Sequence, residues 1–204
     1  MPKETFKNLA PERQKLIINA ALEEFAGHPY EQASLSRIVK KCGIAKGSMY
    51  QYFDDKLGLY RYIVELAYEE KKNYVNKAFS REGDIFDILE EYYRQSYVFS
   101  RDFPLLHQVA NRFWDSRANV LHEHLERGKV SRAQDFNHFL RHAVKSGTVN
   151  PMLDPDAVFF VYHAVGKSLI EHFGEEENGD LFKAVLDVLR HGLQIREEDK
   201  NDQA

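Results

Sequence analysis

The spacing of the apolar residues limits what this 204-residue chain can fold into more than any other feature. They recur at three- and four-residue intervals in segment after segment, and no stretch alternates apolar with polar residues as a half-buried strand does. Leu16, Ile17, Ala20, Ala21 and Phe25, with Glu24 on the same stripe, define a helix over 11–26. Pro11 suits its first turn, and Pro29 cannot continue it beyond Gly27 and His28. The same pattern gives helices over 35–41 behind Ser34 as N-cap, 45–53, 56–79 behind Asp54 and Asp55, 85–101 and 104–114. It continues over 116–146, 155–174 and 181–194, the last behind Asp180. The expectation is an all-α protein of about nine helices, with a charged tail from Arg196 to Ala204 that frays.

Composition narrows the class. The chain is 43% hydrophobic with 14 Phe and 11 Tyr, enough bulky apolar surface for a core. Cys42 is its single cysteine, which rules out an internal disulfide or a cysteine metal cage. The polar N-terminus lacks a signal-peptide apolar region, and no run approaches the roughly 18 apolar residues of a membrane span. A cytoplasmic protein with no membrane partner is expected. Of nine histidines, only His138 and His142 share a helix face at i,i+4 spacing, and no third ligand accompanies them. There is no Gly-x-Ser-x-Gly elbow and no phosphate-binding glycine loop. No catalytic residue, metal or cofactor is assigned.

The formal charge of −4 is unevenly spread. Residues 1–57 hold nine Lys and Arg against seven Asp and Glu, and between Ser34 and Lys56 the count is five against two. A small basic head on an acidic body points towards phosphate binding by the head.

The stretch Ser34 to Phe53 carries the functional signal. Two short helices meet at Gly43, where a positive φ is cheap only for glycine. Ile38, Ile44, Met49 and Phe53 fall where such a pair needs apolar contacts with a supporting first helix. Ala45, Lys46, Gly47 and Ser48 open the second helix with small or polar residues. A recognition helix is built this way, because its N-terminal turn must approach base edges in the major groove. Cys42 reads as a packing residue, and Lys40 and Lys41 as solvated charges or diffuse phosphate attraction.

The run Gly43-Ile44-Ala45-Lys46-Gly47-Ser48-Met49-Tyr50-Gln51-Tyr52-Phe53-Asp54-Asp55-Lys56-Leu57-Gly58-Leu59-Tyr60 resembles the DNA-binding region of the TetR family of repressors. The likeness covers roughly residues 11–60. It departs from the family pattern at Gly27-His28-Pro29-Tyr30, where the entry glycine is displaced, at Cys42 in place of alanine, and at Gly58 in place of glutamate. The resemblance implies base or groove contacts from Lys46, Gly47, Ser48 and Gln51, and phosphate contacts from Ser34, Tyr50, Tyr52 and Lys56. It also implies a division into a helix-turn-helix domain over 1–57 and a helical effector-binding and dimerisation domain over 58–204.

In that larger domain, aromatic residues are abundant. Tyr93, Tyr97, Phe113, Trp114, Phe139 and His163 are candidates for a pocket that takes a small apolar or aromatic effector. Core packing is the alternative for each. Val158, Tyr162, Val165 and Leu169, with Val185 and Leu189, form apolar stripes on the last two helices, and Gly166 permits close approach there. The resemblance implies a homodimer interface at these helices, hence a near-palindromic operator in double-stranded DNA. The resulting expectation is a dimeric repressor released from its operator by a small molecule. A helix-turn-helix activator or architectural binder, and a helical binding domain or enzyme with a vestigial head, are the rival readings.

Overall fold

The computed structural model describes residues 2–79, 83–115, 149–150, 152–172 and 179–193, and every regular element among them is helical. In chain order these are α1 (Glu4–Lys7), α2 (Pro11–Gly27), α3 (Leu35–Cys42), α4 (Lys46–Tyr52), α5 (Lys56–Phe79), α6 (Ile85–Asp102), α7 (Pro104–Asp115), α8 (Pro155–His172) and α9 (Gly179–Leu193). The expected helix over 116–146 lies outside the described residues, and α1 is an element that periodicity did not suggest.

The helix starts follow from local chemistry. Asp55 accepts the backbone N–H of Gly58 at 2.7 Å and so caps α5. Asp84 accepts from Phe86 and Asp87 at 2.8 and 3.0 Å, while Asp87 reaches back to the Asp84 N–H at 2.9 Å. That reciprocal pair opens α6 in the manner of a capping box. Asp154 serves α8 through Asp156 at 3.0 Å.

The chain divides into two compact units. The first takes Met1–Lys72 and Phe99–Val130, the second Asn73–Val98 and Ser131–Ala204. The first unit is built on Phe6, Ile17, Phe25, Ile38, Met49 and Phe53, each 0–1% exposed. Burying each such side chain contributes on the order of 1.5–3 kcal/mol. The same core continues through Leu59, Tyr60, Ile63, Val64 and Tyr68 of α5 and Val109 and Phe113 of α7. The head expected over 1–57 therefore packs as part of a larger unit that includes the first two thirds of α5 and all of α7. Leu16, placed on the buried stripe by periodicity, stands 39% exposed, and Leu22 is buried instead.

The second unit centres on Phe86, Leu89 and Tyr93 of α6 with Val158 and Tyr162 of α8, joined by Val149 and flanked by Phe182, Leu186 and Leu189 of α9. Tyr93 donates its hydroxyl to the Tyr162 carbonyl at 2.8 Å, and the two rings stack at 6.1 Å. Arg190 of α9 donates to Asp84 at 2.6 Å, with its guanidinium 5.0 Å from the Phe86 ring.

Candidate nucleic-acid interface

Helix α3 ends on Gly43, at φ 61° and ψ 37°, the left-handed conformation expected of it. The Ile44 N–H reaches the Val39 carbonyl at 3.1 Å and the Gly43 N–H reaches Lys40 at 3.2 Å. This pair of bonds is a Schellman closure, which satisfies the last carbonyls of α3 and turns the chain sharply into α4. The helix-turn-helix then sits on α2 through Leu35, Ile38, Val39, Cys42, Met49 and Phe53, all buried. Cys42 is 3% exposed, and burial raises its thiol pKa. A protonated, enclosed thiol is a packing group.

With Met49 turned inwards, α4 shows solvent the face carrying Lys46, Gly47, Tyr50 and Gln51, while Ser48 and Tyr52 are half-buried. Of the four residues implied for groove contact, Lys46, Gly47 and Gln51 lie on the exposed face and Ser48 is half-buried. A Cβ built on Gly47 meets nothing within 4 Å, so the chain's own packing places no demand for glycine there. Tyr50 is 43% exposed. Tyr52 instead leans on Phe6, ring to ring at 6.1 Å.

The charges are disposed differently from their order in the sequence. Lys56, implied as a phosphate contact, points its ammonium at the loop before α3. It donates to the carbonyls of Tyr30 at 2.7 Å and Ala33 at 3.1 Å, and lies 4.3 Å from the Tyr30 ring centroid. Arg37 is bound to Glu24, which is only 8% exposed. Lys41 pairs with Glu23. Lys40 and Lys46 remain as exposed cations of this segment. Ser34, implied as a cap and a phosphate contact, makes no side-chain cap bond. Its N–H donates to Glu24 at 2.7 Å. Burial raises the Glu24 pKa, but the Arg37 and Ser34 hydrogen bonds and the Arg37 charge outweigh it, holding the carboxyl below its ordinary range.

Two supports of this head gave no signal in the sequence. Arg112 of α7 donates to the Ala26 carbonyl at 2.6 Å, closing the C-terminal end of α2. The N-terminal stretch around α1 donates to the end of α4: Lys3 N–H to the Tyr52 carbonyl at 2.9 Å, Lys3 Nζ to Tyr50 at 2.9 Å, and Thr5 Oγ1 to Gln51.

Of the pocket candidates, Phe113 is buried in the first unit against Tyr68, ring centroids 6.0 Å apart. Tyr93 is buried in the second unit and Tyr97 is half-buried. Phe139 and the side chains of Trp114 and His163 lie outside the described residues. Among the interface candidates, Val158, Tyr162 and Leu169 are 2–5% exposed and turned into the chain's own core. Val165, Val185 and Leu189 are half-buried. Among the described residues, the large apolar side chains of α8 and α9 that turn outwards are Phe160, Val161 and Val188, exposed by 72%, 44% and 73%. None of the described helices is long and apolar enough to cross a membrane.

The fold and the α3–α4 geometry define a helix-turn-helix protein, and comparison with known proteins shows which regulators it is similar to. Residues 17–63 match the family model described as bacterial regulatory proteins, tetR family. The chain is 39% identical over 59 residues to the HTH-type transcriptional regulator YuxN of Bacillus subtilis, covering 29% of this chain and 20% of that protein. It is 31% identical over 90 residues to the fatty acid metabolism regulator protein of the same organism, covering 44% and 43% of the two. These matches thus span less than half of either relative. A TetR family transcriptional regulator from Chloroflexus aurantiacus has a solved structure that superposes with a TM-score of 0.74 at 29% identity, over 96% of this chain and 100% of that one. Residues 17–63 thus carry the DNA-binding region of the tetR family, and the chain as a whole is similar to TetR-family transcription regulators.

Proposed function

We propose that the chain is a dimeric repressor whose two heads read a near-palindromic operator and release it when the body binds a small apolar molecule. The exposed face of α4 carries this reading: Lys46, Gly47, Tyr50 and Gln51 face solvent on a helix whose other side is locked into the core. A glycine that the fold does not need, on the first turn of that face, suits close approach to a groove. Lys46 and Gln51 supply donors for phosphate and base edges. Residues 1–57 would act as the reading head and 58–204 as the effector-binding and dimerisation region.

Dimerisation is assigned to the outward faces of α8 and α9. Phe160, Val161 and Val188 form an exposed apolar set of the kind that marks a protein contact. Two heads joined in this way would engage major-groove faces about 34–36 Å apart. Effector binding would favour a conformer whose heads no longer match that spacing, so release follows from differential affinity for two states. Arg112 gives α7 a direct hold on the end of α2, and so a route by which a change in α7 reaches the head. The relative named for fatty acid metabolism makes acyl compounds the first class to screen.

The test is a selection of duplexes from a random pool with the full chain, followed by anisotropy titration of the enriched duplex across a salt series. Enrichment of a two-fold symmetric site, with affinity falling as salt rises, supports the reading. Failure to enrich any duplex, with no binding even at low salt, overturns it.

A further inference from the structure

Helix α4 is seven residues long with a single buried residue, Met49. A helix this short does not hold itself together, because nucleation fixes several residues for very few hydrogen bonds. Its last regular tie is the Phe53 N–H to the Met49 carbonyl at 2.9 Å. Beyond that point the chain turns extended, at φ −135° and ψ 147° for Phe53, so the carbonyls of residues 50, 51 and 52 face no following helical N–H.

Those three carbonyls all take donors from one short stretch at the start of the chain. Lys3 Nζ serves Tyr50, Thr5 Oγ1 serves Gln51 and the Lys3 N–H serves Tyr52. The stretch is itself anchored. Phe6 is 1% exposed and its ring lies 4.9 Å from that of Phe53, while Gln14 of α2 donates to the carbonyls of Lys7 and Leu9 at 3.0 and 2.8 Å. Lys3 Nζ also meets Asp54 at 2.9 Å and brings a positive charge to the C-terminal end of α4, where the helix dipole favours one.

We infer that Lys3 and Thr5 are positioning residues for sequence readout: they form a strap that fixes the rotation and tilt of α4 without touching DNA. This rests on the reading of α4 as the recognition helix. Gln51 would read bases through hydrogen bonds, and Gly47 would admit the close approach they need; both tolerate only small misplacements, so a loosened α4 loses discrimination before it loses charge attraction. Phosphate attraction by exposed lysines is far less exacting in geometry.

The experiment compares the full-length wild type with Lys3→Met/Thr5→Val and with Lys3→Arg. The probes are the duplex most enriched by the wild type from a random pool and a scrambled duplex of the same composition. Amide exchange over residues 46–53 is followed in parallel without DNA. The double variant is expected to bind the enriched duplex about tenfold more weakly, the scale of losing two hydrogen bonds. Its affinity for the scrambled duplex should hold, exchange over 46–53 should quicken several-fold, and Lys3→Arg should stay near wild type. An equal loss on both duplexes, or unchanged discrimination, overturns the inference. Unchanged exchange over 46–53 overturns it as well, and decides the strap even where the wild type enriches no duplex and the DNA reading itself fails. If the double variant does not fold, the single variants Lys3→Met and Thr5→Val carry the same comparison, each with about a threefold loss of discrimination expected.

Discussion

Lys46 and Lys56 carry the same charge and do different work. Lys46 is exposed on the first turn of α4, whereas Lys56 is spent on the carbonyls of Tyr30 and Ala33. Lys46→Ala should therefore reduce the slope of log affinity against log salt by about one per head, the mark of a lost phosphate contact. Lys56→Ala should leave that slope in place and lower the melting temperature, since the loop before α3 loses its donor. The reverse pattern in the salt titrations would return Lys56 to the DNA interface. Glu24 gives a second test. Its pKa is lowered in the folded chain from an ordinary 4.5, so its contribution is present above that value and is lost as pH falls through the lower native one. In urea titrations Glu24→Gln should begin less stable near neutral pH and lose less than the wild type on acidification. Equal losses would show that Glu24 does not govern this step. The sequence reveals how many basic residues the head has, but not which are neutralised internally. Arg37 finds Glu24 and Lys41 finds Glu23 only because α2 and α3 pack together, and no local pattern records such a pairing.

At the scale of elements, the helix-turn-helix was legible because its signals are local. Gly43 at a left-handed turn, a capping Asp55 and three- to four-residue apolar spacing are all read within a few neighbours. The observed α3 and α4 accordingly fall within a residue or so of the expected ranges. Helix α1 was not legible, since four residues are too few to show a period, and its role depends on carbonyls more than forty positions away. The faces of α8 were ambiguous for a related reason. Both sides carry apolar residues, and only packing shows that Val158 and Tyr162 turn inwards while Phe160 turns out. Gly166 was expected to allow close approach, and it does: a Cβ there would stand 2.1 Å from Cε1 of Tyr93. That ring is held by its bond to the Tyr162 carbonyl and cannot retreat freely. Gly166→Ala should cost about 1–3 kcal/mol by overpacking, measured by chemical denaturation. A neutral result would mean that α6 and α8 separate easily.

For the molecule as a whole, the all-α class followed from periodicity alone, because a period near 3.6 in every segment leaves no residues for a sheet. The division into units did not follow, since α5 and α6 each run from one unit into the other without any break in composition. In the proposed dimer, assembly uses the outward face of α8 and α9. Phe160→Glu with Val188→Glu should then leave a monomer in light scattering and weaken binding to a two-fold symmetric duplex, because each head would bind alone. A variant that remains dimeric would move the interface elsewhere. The central claim is that the exposed face of α4 enters the DNA groove, and Gly47 isolates it, since a methyl group there meets nothing in the protein. The direct measurement is an anisotropy titration of wild type and Gly47→Ala on the enriched duplex, with thermal melting alongside. The account predicts an unchanged or slightly higher melting temperature, as expected for alanine replacing glycine in a helix, together with at least a tenfold loss of affinity. Equal affinity of the two proteins for that duplex would contradict it.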